Sequence, residues 1–94
     1  MIVTKHAKQR MKQRCGINEK SSDRMTKIAF EKGLKHSDLT GNLKKWVDGL
    51  YFYNKNANNI RLYGDKAYIF RNTKLITVIQ IPHNLVKEAD KLRK

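Results

Sequence analysis

The run Leu75-Ile76-Thr77-Val78-Ile79-Gln80-Ile81 does most to restrict the fold. It is apolar at both odd and even positions, and side chains alternate along a strand, so both of its faces need cover. Pro82 ends it, having no backbone N–H to continue a ladder. The chain must therefore place a β-strand in a central or well-covered position, with other elements packed against it.

Two shorter β-type segments precede this run. Ile60-Arg61-Leu62-Tyr63 alternates apolar and polar residues, Gly64-Asp65 reads as a turn, and Lys66 to Arg71 carries Tyr68, Ile69 and Phe70. Asn72-Thr73 makes the next turn, so the second half reads as an antiparallel meander. Upstream the period changes to that of helices. Ala7, Met11 and Cys15 form a stripe at i, i+4, i+8, with Thr4 placed to cap and Gly16 to terminate. A second helix is expected from Asn18 or Ser21 to Lys32, with Met25, Ile28 and Ala29 inward and Gly33 as its stop. Leu34 to Gly41 reads as a connector. A third helix, Asn42 to Tyr53, turns Leu43, Trp46, Val47 and Leu50 inward, and Tyr51, Phe52 and Tyr53 read as packing. Gly49 weakens it by about 1 kcal/mol relative to alanine. Asn54 to Asn59 forms turns, and Asn84 is placed to cap a short C-terminal helix to about Arg93. The expected fold is α+β in one domain, residues 1–94: N-terminal helices packed on a C-terminal meander of three to four strands, then a short helix.

Charge narrows the function. Twenty-one Lys and Arg stand against eight Asp and Glu, for a net charge of +13. The abundance of Lys, Asn and Ile is what A+T-rich genes produce, yet that bias would also enrich Glu, and only Glu19, Glu31 and Glu88 occur. Depleted acids point to a polyanionic partner, RNA first among them. A single cysteine, Cys15, suits a reducing compartment. The N-terminus has no apolar h-region and no segment approaches the ~20 residues of a spanning helix, so a cytoplasmic protein without membrane contact is expected. His6, His36, His83 and Cys15 are scattered with no ligand spacing, so no metal or cofactor is expected.

Within the first helix, His6, Arg10 and Arg14 share one side, with Lys5, Lys8 and Lys12 on the solvent side and no acid before Glu19. Arginine forks hold phosphate oxygens, and a histidine can exchange protons beside them. A basic helix edge in water would also look like this. Arg61 and Tyr63, on the polar side of their strand, and Arg71, at the end of the next, are candidates for holding phosphates and stacking bases.

The segment Thr4-Lys5-His6-Ala7-Lys8-Gln9-Arg10-Met11-Lys12-Gln13-Arg14-Cys15-Gly16-Ile17, with Leu75-Ile76-Thr77-Val78-Ile79 in the last strand, resembles small bacterial and phage proteins of the BECR (barnase–EndoU–colicin–RelE-like) nuclease superfamily. The resemblance implies N-terminal helices on a four-stranded sheet and metal-independent endoribonuclease activity, toxin- or phage-effector-like. His6 would then be the general acid or base, Arg10 and Arg14 would stabilise the phosphorane charge, and Thr77 would position a phosphate or the histidine. The alternatives are a non-catalytic nucleic-acid-binding protein and an interaction module that inhibits a host nucleoprotein. A toxin would also be expected to have an acidic antitoxin as partner.

Overall fold

In a computed structural model, which describes residues 2–16 and 19–92, four helices enclose a four-stranded mixed sheet. The elements run β1 (Ile2–Val3), α1 (Lys5–Cys15), α2 (Glu19–Lys32), α3 (Gly41–Tyr53), β2 (Asn59–Tyr63), β3 (Lys66–Arg71), β4 (Lys74–Gln80) and α4 (His83–Leu92). Spatially the strand order is β1-β4-β3-β2. The meander β2-β3-β4 is antiparallel, as its alternation and its two turns require. Gly64 and Asn72 both adopt left-handed backbone at these turns, which glycine and asparagine tolerate best.

The fourth strand comes from the opposite end of the chain. Ile2 and Val3 pair in parallel with Lys74 and Leu75, which makes β4 an interior strand. Two residues carry too little pattern to be read as a strand; the pairing is fixed by tertiary contact with β4. The long apolar run thus has strands on both sides along its first part.

Both sheet faces are covered, so the architecture has three layers. On one face Tyr68, Phe70, Leu75 and Val78 pack against Ala7 and Met11 of α1 and Ala29 of α2. On the other, Ile60, Leu62, Ala67, Ile69 and Ile81 pack against Leu43 and Val47 of α3 and Leu85 and Ala89 of α4. The meander was expected to keep an open polar face at β2. Instead α2 covers it: the Arg61 guanidinium lies over the Phe30 ring at 5.5 Å, and Tyr63 packs against the α1–α2 core.

Boundaries differ in small ways. The connector contains a single 3₁₀ turn at His36–Asp38, and Leu34 forms a bridge with Leu62 that covers the outer edge of β2. α3 begins at Gly41, and its first turn receives the Glu88 carboxylate of α4, which accepts from the Leu43 N–H at 3.2 Å. That places a negative charge at a helix N-terminus and ties α3 to α4. α4 starts at His83 rather than after Asn84, with the Pro82 carbonyl accepting from the Leu85 and Val86 N–H groups. The expected start of α2 at Asn18 and end of α4 at Arg93 lie outside the described residues.

Asp65 and Lys66 form an ion pair at 2.9 Å at the β2–β3 turn, closed by Gln80, whose amide donates to the Asp65 carbonyl at 3.0 Å. The Lys66 hydrogen bond, above all, holds the Asp65 carboxyl below its ordinary value of 3.8. Gln80 thus finds its partners at the strand end, on the sheet face opposite to Thr77.

Gly33 is where α2 meets β2. A Cβ added there would stand 2.4 Å from the Ala29 carbonyl oxygen and 2.9 Å from the Arg61 Cβ. Gly33→Ala is therefore expected to destabilise the protein by about 1–3 kcal/mol, the usual cost of overpacking. A thermal melt that does not move would show that α2 can shift away from β2 freely.

Candidate nucleic-acid interface

α1 is built where its sequence says it should be. The Thr4 side chain accepts from the Ala7 N–H at 3.1 Å, and Gly16 ends the helix in a left-handed conformation with its N–H on the Met11 carbonyl. Ala7 and Met11 are fully buried, which turns the flank carrying His6, Arg10 and Arg14 to the border of the sheet. There α1 runs along β4.

β1 covers the edge of β4 only as far as Leu75. Beyond it, α1 supplies the donors that a strand would have given. The Thr4 hydroxyl donates to the Ile76 carbonyl at 3.3 Å, and the Arg14 guanidinium to the Val78 carbonyl at 3.2 Å. These are the carbonyls on either side of Thr77. The sheet has a register shift here: Ile69 pairs with Thr77 but Phe70 with Leu75, leaving Ile76 unmatched. Such a bulge re-aims the strand locally.

The arrangement brings His6, Arg10 and Arg14 onto one ridge but not Thr77, whose side chain lies on the other face of the sheet. Arg10 Nε donates to His6 Nε2 at 3.4 Å, a long contact between side chains one helical turn apart. Thr77 shares its sheet face with Ile69, the face that packs against α3 and α4, whereas Ala7 and Met11 pack on the other. Thr77 is 9% exposed, and among the described residues its hydroxyl makes no hydrogen bond.

The remaining basic candidates divide. Lys5, Lys8 and Lys12 line α1 with no acid beside them in the helix. Arg71 is exposed at the β3–β4 turn, where it donates to the Asn56 carbonyl at 3.0 Å. Arg61 and Tyr63 lie on β2, two strands from β4, beneath α2. Arg61 is held by Asn59 Oδ1 at 2.9 Å and the Gly33 carbonyl at 3.5 Å as well as by Phe30. Its fork is committed within the fold because the face expected to be open is a packed layer.

A second set of elements meets at the end of the sheet from which α1 departs. Ile2 N–H donates to the Thr73 carbonyl, and Asn58 and Asn72 exchange two hydrogen bonds, Nδ2 to Oδ1 at 2.8 Å and N–H to Oδ1 at 2.7 Å. The start of β1, the turn 54–58 and the β3–β4 turn thus form one rigid end bearing Lys55, Arg71 and Lys74. The sequence has no Asp or Glu in residues 1–18, 49–64 or 66–87. The acids lie on α2, on the connector, mid-α3, on α4 and at the Asp65 turn, which is the other end of the sheet.

Phe52 and Tyr53, read from the sequence as packing, are instead 71% and 83% exposed. Spacing gave the signal for Phe52, which falls opposite the inward stripe of Leu43, Trp46, Val47 and Leu50; Tyr53, three residues after Leu50, sits at the edge of that stripe and is exposed because the helix ends there. Tyr51 does pack, its hydroxyl accepting from the Ile60 N–H at 2.9 Å and its ring meeting His36 edge to face.

Among the described residues no group of three or more His, Cys, Asp or Glu could hold a metal ion. No helix among them is long and apolar enough to cross a membrane. No family model, curated protein or solved structure matches this chain.

Thr4 both caps α1 and holds β4. Thr4→Ala is expected to cost about 1 kcal/mol or somewhat more, a fall of roughly 4–8 °C in melting temperature, with Thr4→Ser restoring most of it. An unchanged melt for Thr4→Ala would mean that α1 docks through its apolar stripe alone.

Proposed function

We propose that this protein binds RNA, taking the phosphate backbone along α1 and the adjoining end of the sheet. The observation that carries this reading is the exclusion of acids from α1 and the turns beside it. An acid-free tract, residues 1–18, supplies the whole of α1, and two further acid-free tracts supply the turns beside it. A basic composition scattered evenly over a surface would raise solubility and encounter rates. Cations occur on every helix, but along this border they stand without interspersed acids, which makes a track for a charged chain. Lys5, Lys8, Lys12, Arg71 and Lys74 are the phosphate contacts in this reading, with Arg10 and Arg14 on the ridge between them.

A second reading, metal-independent RNA cleavage, is favoured by one arrangement: the His6–Arg10 pair, with Arg14, on a ridge anchored to β4. In that reaction the ribose 2′-oxygen attacks the adjacent phosphorus, the bond to the 5′-oxygen breaks, and a 2′,3′-cyclic phosphate and a 5′-hydroxyl result. His6 would move a proton and Arg10 and Arg14 would stabilise the extra charge on phosphorus; Thr77, buried on the sheet face opposite to α1, has no part in such a site. Among the described residues no second group for proton transfer stands beside His6, and for that reason binding is the leading conclusion.

The test is retardation of end-labelled single-stranded RNA with EDTA present, across a salt series. Wild type is expected to bind with a steep salt dependence. Replacing Lys5, Lys8 and Lys12 together by Gln should flatten the slope of log K against log salt by about 2, at ~0.7 per phosphate contact. Binding that ignores salt, or a slope unchanged in the triple variant, would overturn the assignment. Products with cyclic phosphate ends, lost in His6→Ala, would establish the second reading; intact RNA would leave a binding protein.

A further inference from the structure

We infer that Phe52 and Tyr53 form a stacking platform for unpaired bases of a single-stranded RNA whose phosphates run over the neighbouring cations. The pair sits at the last turn of α3, with ring centroids 5.8 Å apart and planes at 85°. Two rings at right angles make the walls of a corner: a flat base laid on one presents its edge to the other. Both are exposed at 71% and 83%, and, with Ile2, they are the large hydrophobic side chains left in solvent among the described residues.

The backbone that carries the pair is pinned. Asn54 closes the helix with its backbone N–H and its Nδ2 both on the Leu50 carbonyl, at 2.8 and 2.9 Å. Ala57 N–H then donates to the Asn54 carbonyl, and Arg71 holds the turn at Asn56. An aromatic pair on a pinned helix end loses little conformational entropy when a ligand stacks on it.

The surroundings decide the occupant. The nearest acid, Asp48 one turn before Phe52, is engaged by His36; no acidic residue follows it until Asp65, and Lys55 and Arg71 flank the turn that follows the pair. A ligand that offers flat π-faces on an anionic chain meets both features, as an unpaired nucleotide strand does. A duplex hides its base faces and cannot use the corner. The inference deepens the RNA-binding reading and rests on it for the phosphate contacts, while adding a preference that basic residues alone would not give.

Fluorescence anisotropy separates the two. A labelled single strand of about 12 nucleotides, within the usual site sizes, is compared with the blunt duplex of the same sequence. Wild type should prefer the single strand. The double variant Phe52→Ala/Tyr53→Ala should bind the single strand roughly tenfold more weakly, with duplex affinity and salt slope unchanged, and Tyr53→Trp should retain single-strand affinity. Circular dichroism and sedimentation accompany each variant. Single-strand affinity unchanged in the double variant overturns the platform and leaves the RNA reading standing. Wild type that binds neither strand nor duplex overturns both. A wild-type dimer that the double variant dissolves shows instead that the pair docks a second copy of this chain, and also overturns the inference.

Discussion

β4 has to be satisfied on four sides at once: two apolar faces, one edge paired with β3, and a second edge that β1 covers for only two residues. A buried edge with unpaired carbonyls would cost about 1–3 kcal/mol for each group left without a partner. α1 resolves this by lying along the uncovered edge, its Thr4 and Arg14 donating to the Ile76 and Val78 carbonyls while Ala7 and Met11 fill the core. Everything proposed for function follows from that docking. Because the buried flank of α1 is spent on β4 and the core, its basic flank is presented along the border of the sheet. The helix is therefore both the structural closure of the sheet and its charged face.

Much of this was legible from local chemistry. Thr4, Gly16, Gly64, Asn72 and Pro82 act through their own backbone preferences, so the caps, turns and stops follow from residue type alone. The double-sided apolarity of residues 75–81 correctly demanded a covered strand. β1 was not legible, because a two-residue strand exists only through its partner. Arg61 illustrates the same limit at the candidate site. Alternation says to which side of β2 it points, but only the path of α2 decides whether that side is open, and Phe30 and Gly33 close it.

The site residues show a related division. His6, Arg10 and Arg14 are neighbours by helical period, and the sequence brings them together. That the ridge would lie along β4 depends on Thr4 and Arg14 reaching the Ile76 and Val78 carbonyls, and that Thr77 would turn to the far face depends on its pairing with Ile69, neither of which spacing reveals. Phe52 and Tyr53 were hidden by the opposite error: aromatic residues are usually packed, but Phe52 lies opposite the stripe set by Leu43, Val47 and Leu50, and Tyr53 lies at its edge in the last turn. Their exposure becomes informative only beside Lys55 and Arg71 and with the nearest acid, Asp48, engaged by His36.

The central claim is that one border of this molecule, and not its charge as a whole, meets RNA. Amide chemical-shift mapping during titration with a single-stranded RNA tests it most directly. Perturbations confined to β1, α1, residues 52–58 and the β3–β4 turn, with Asp38, Asp48 and the Asp65 turn silent, are the predicted result. Shifts spread over the whole surface, or centred on the Asp65 end, would contradict the account.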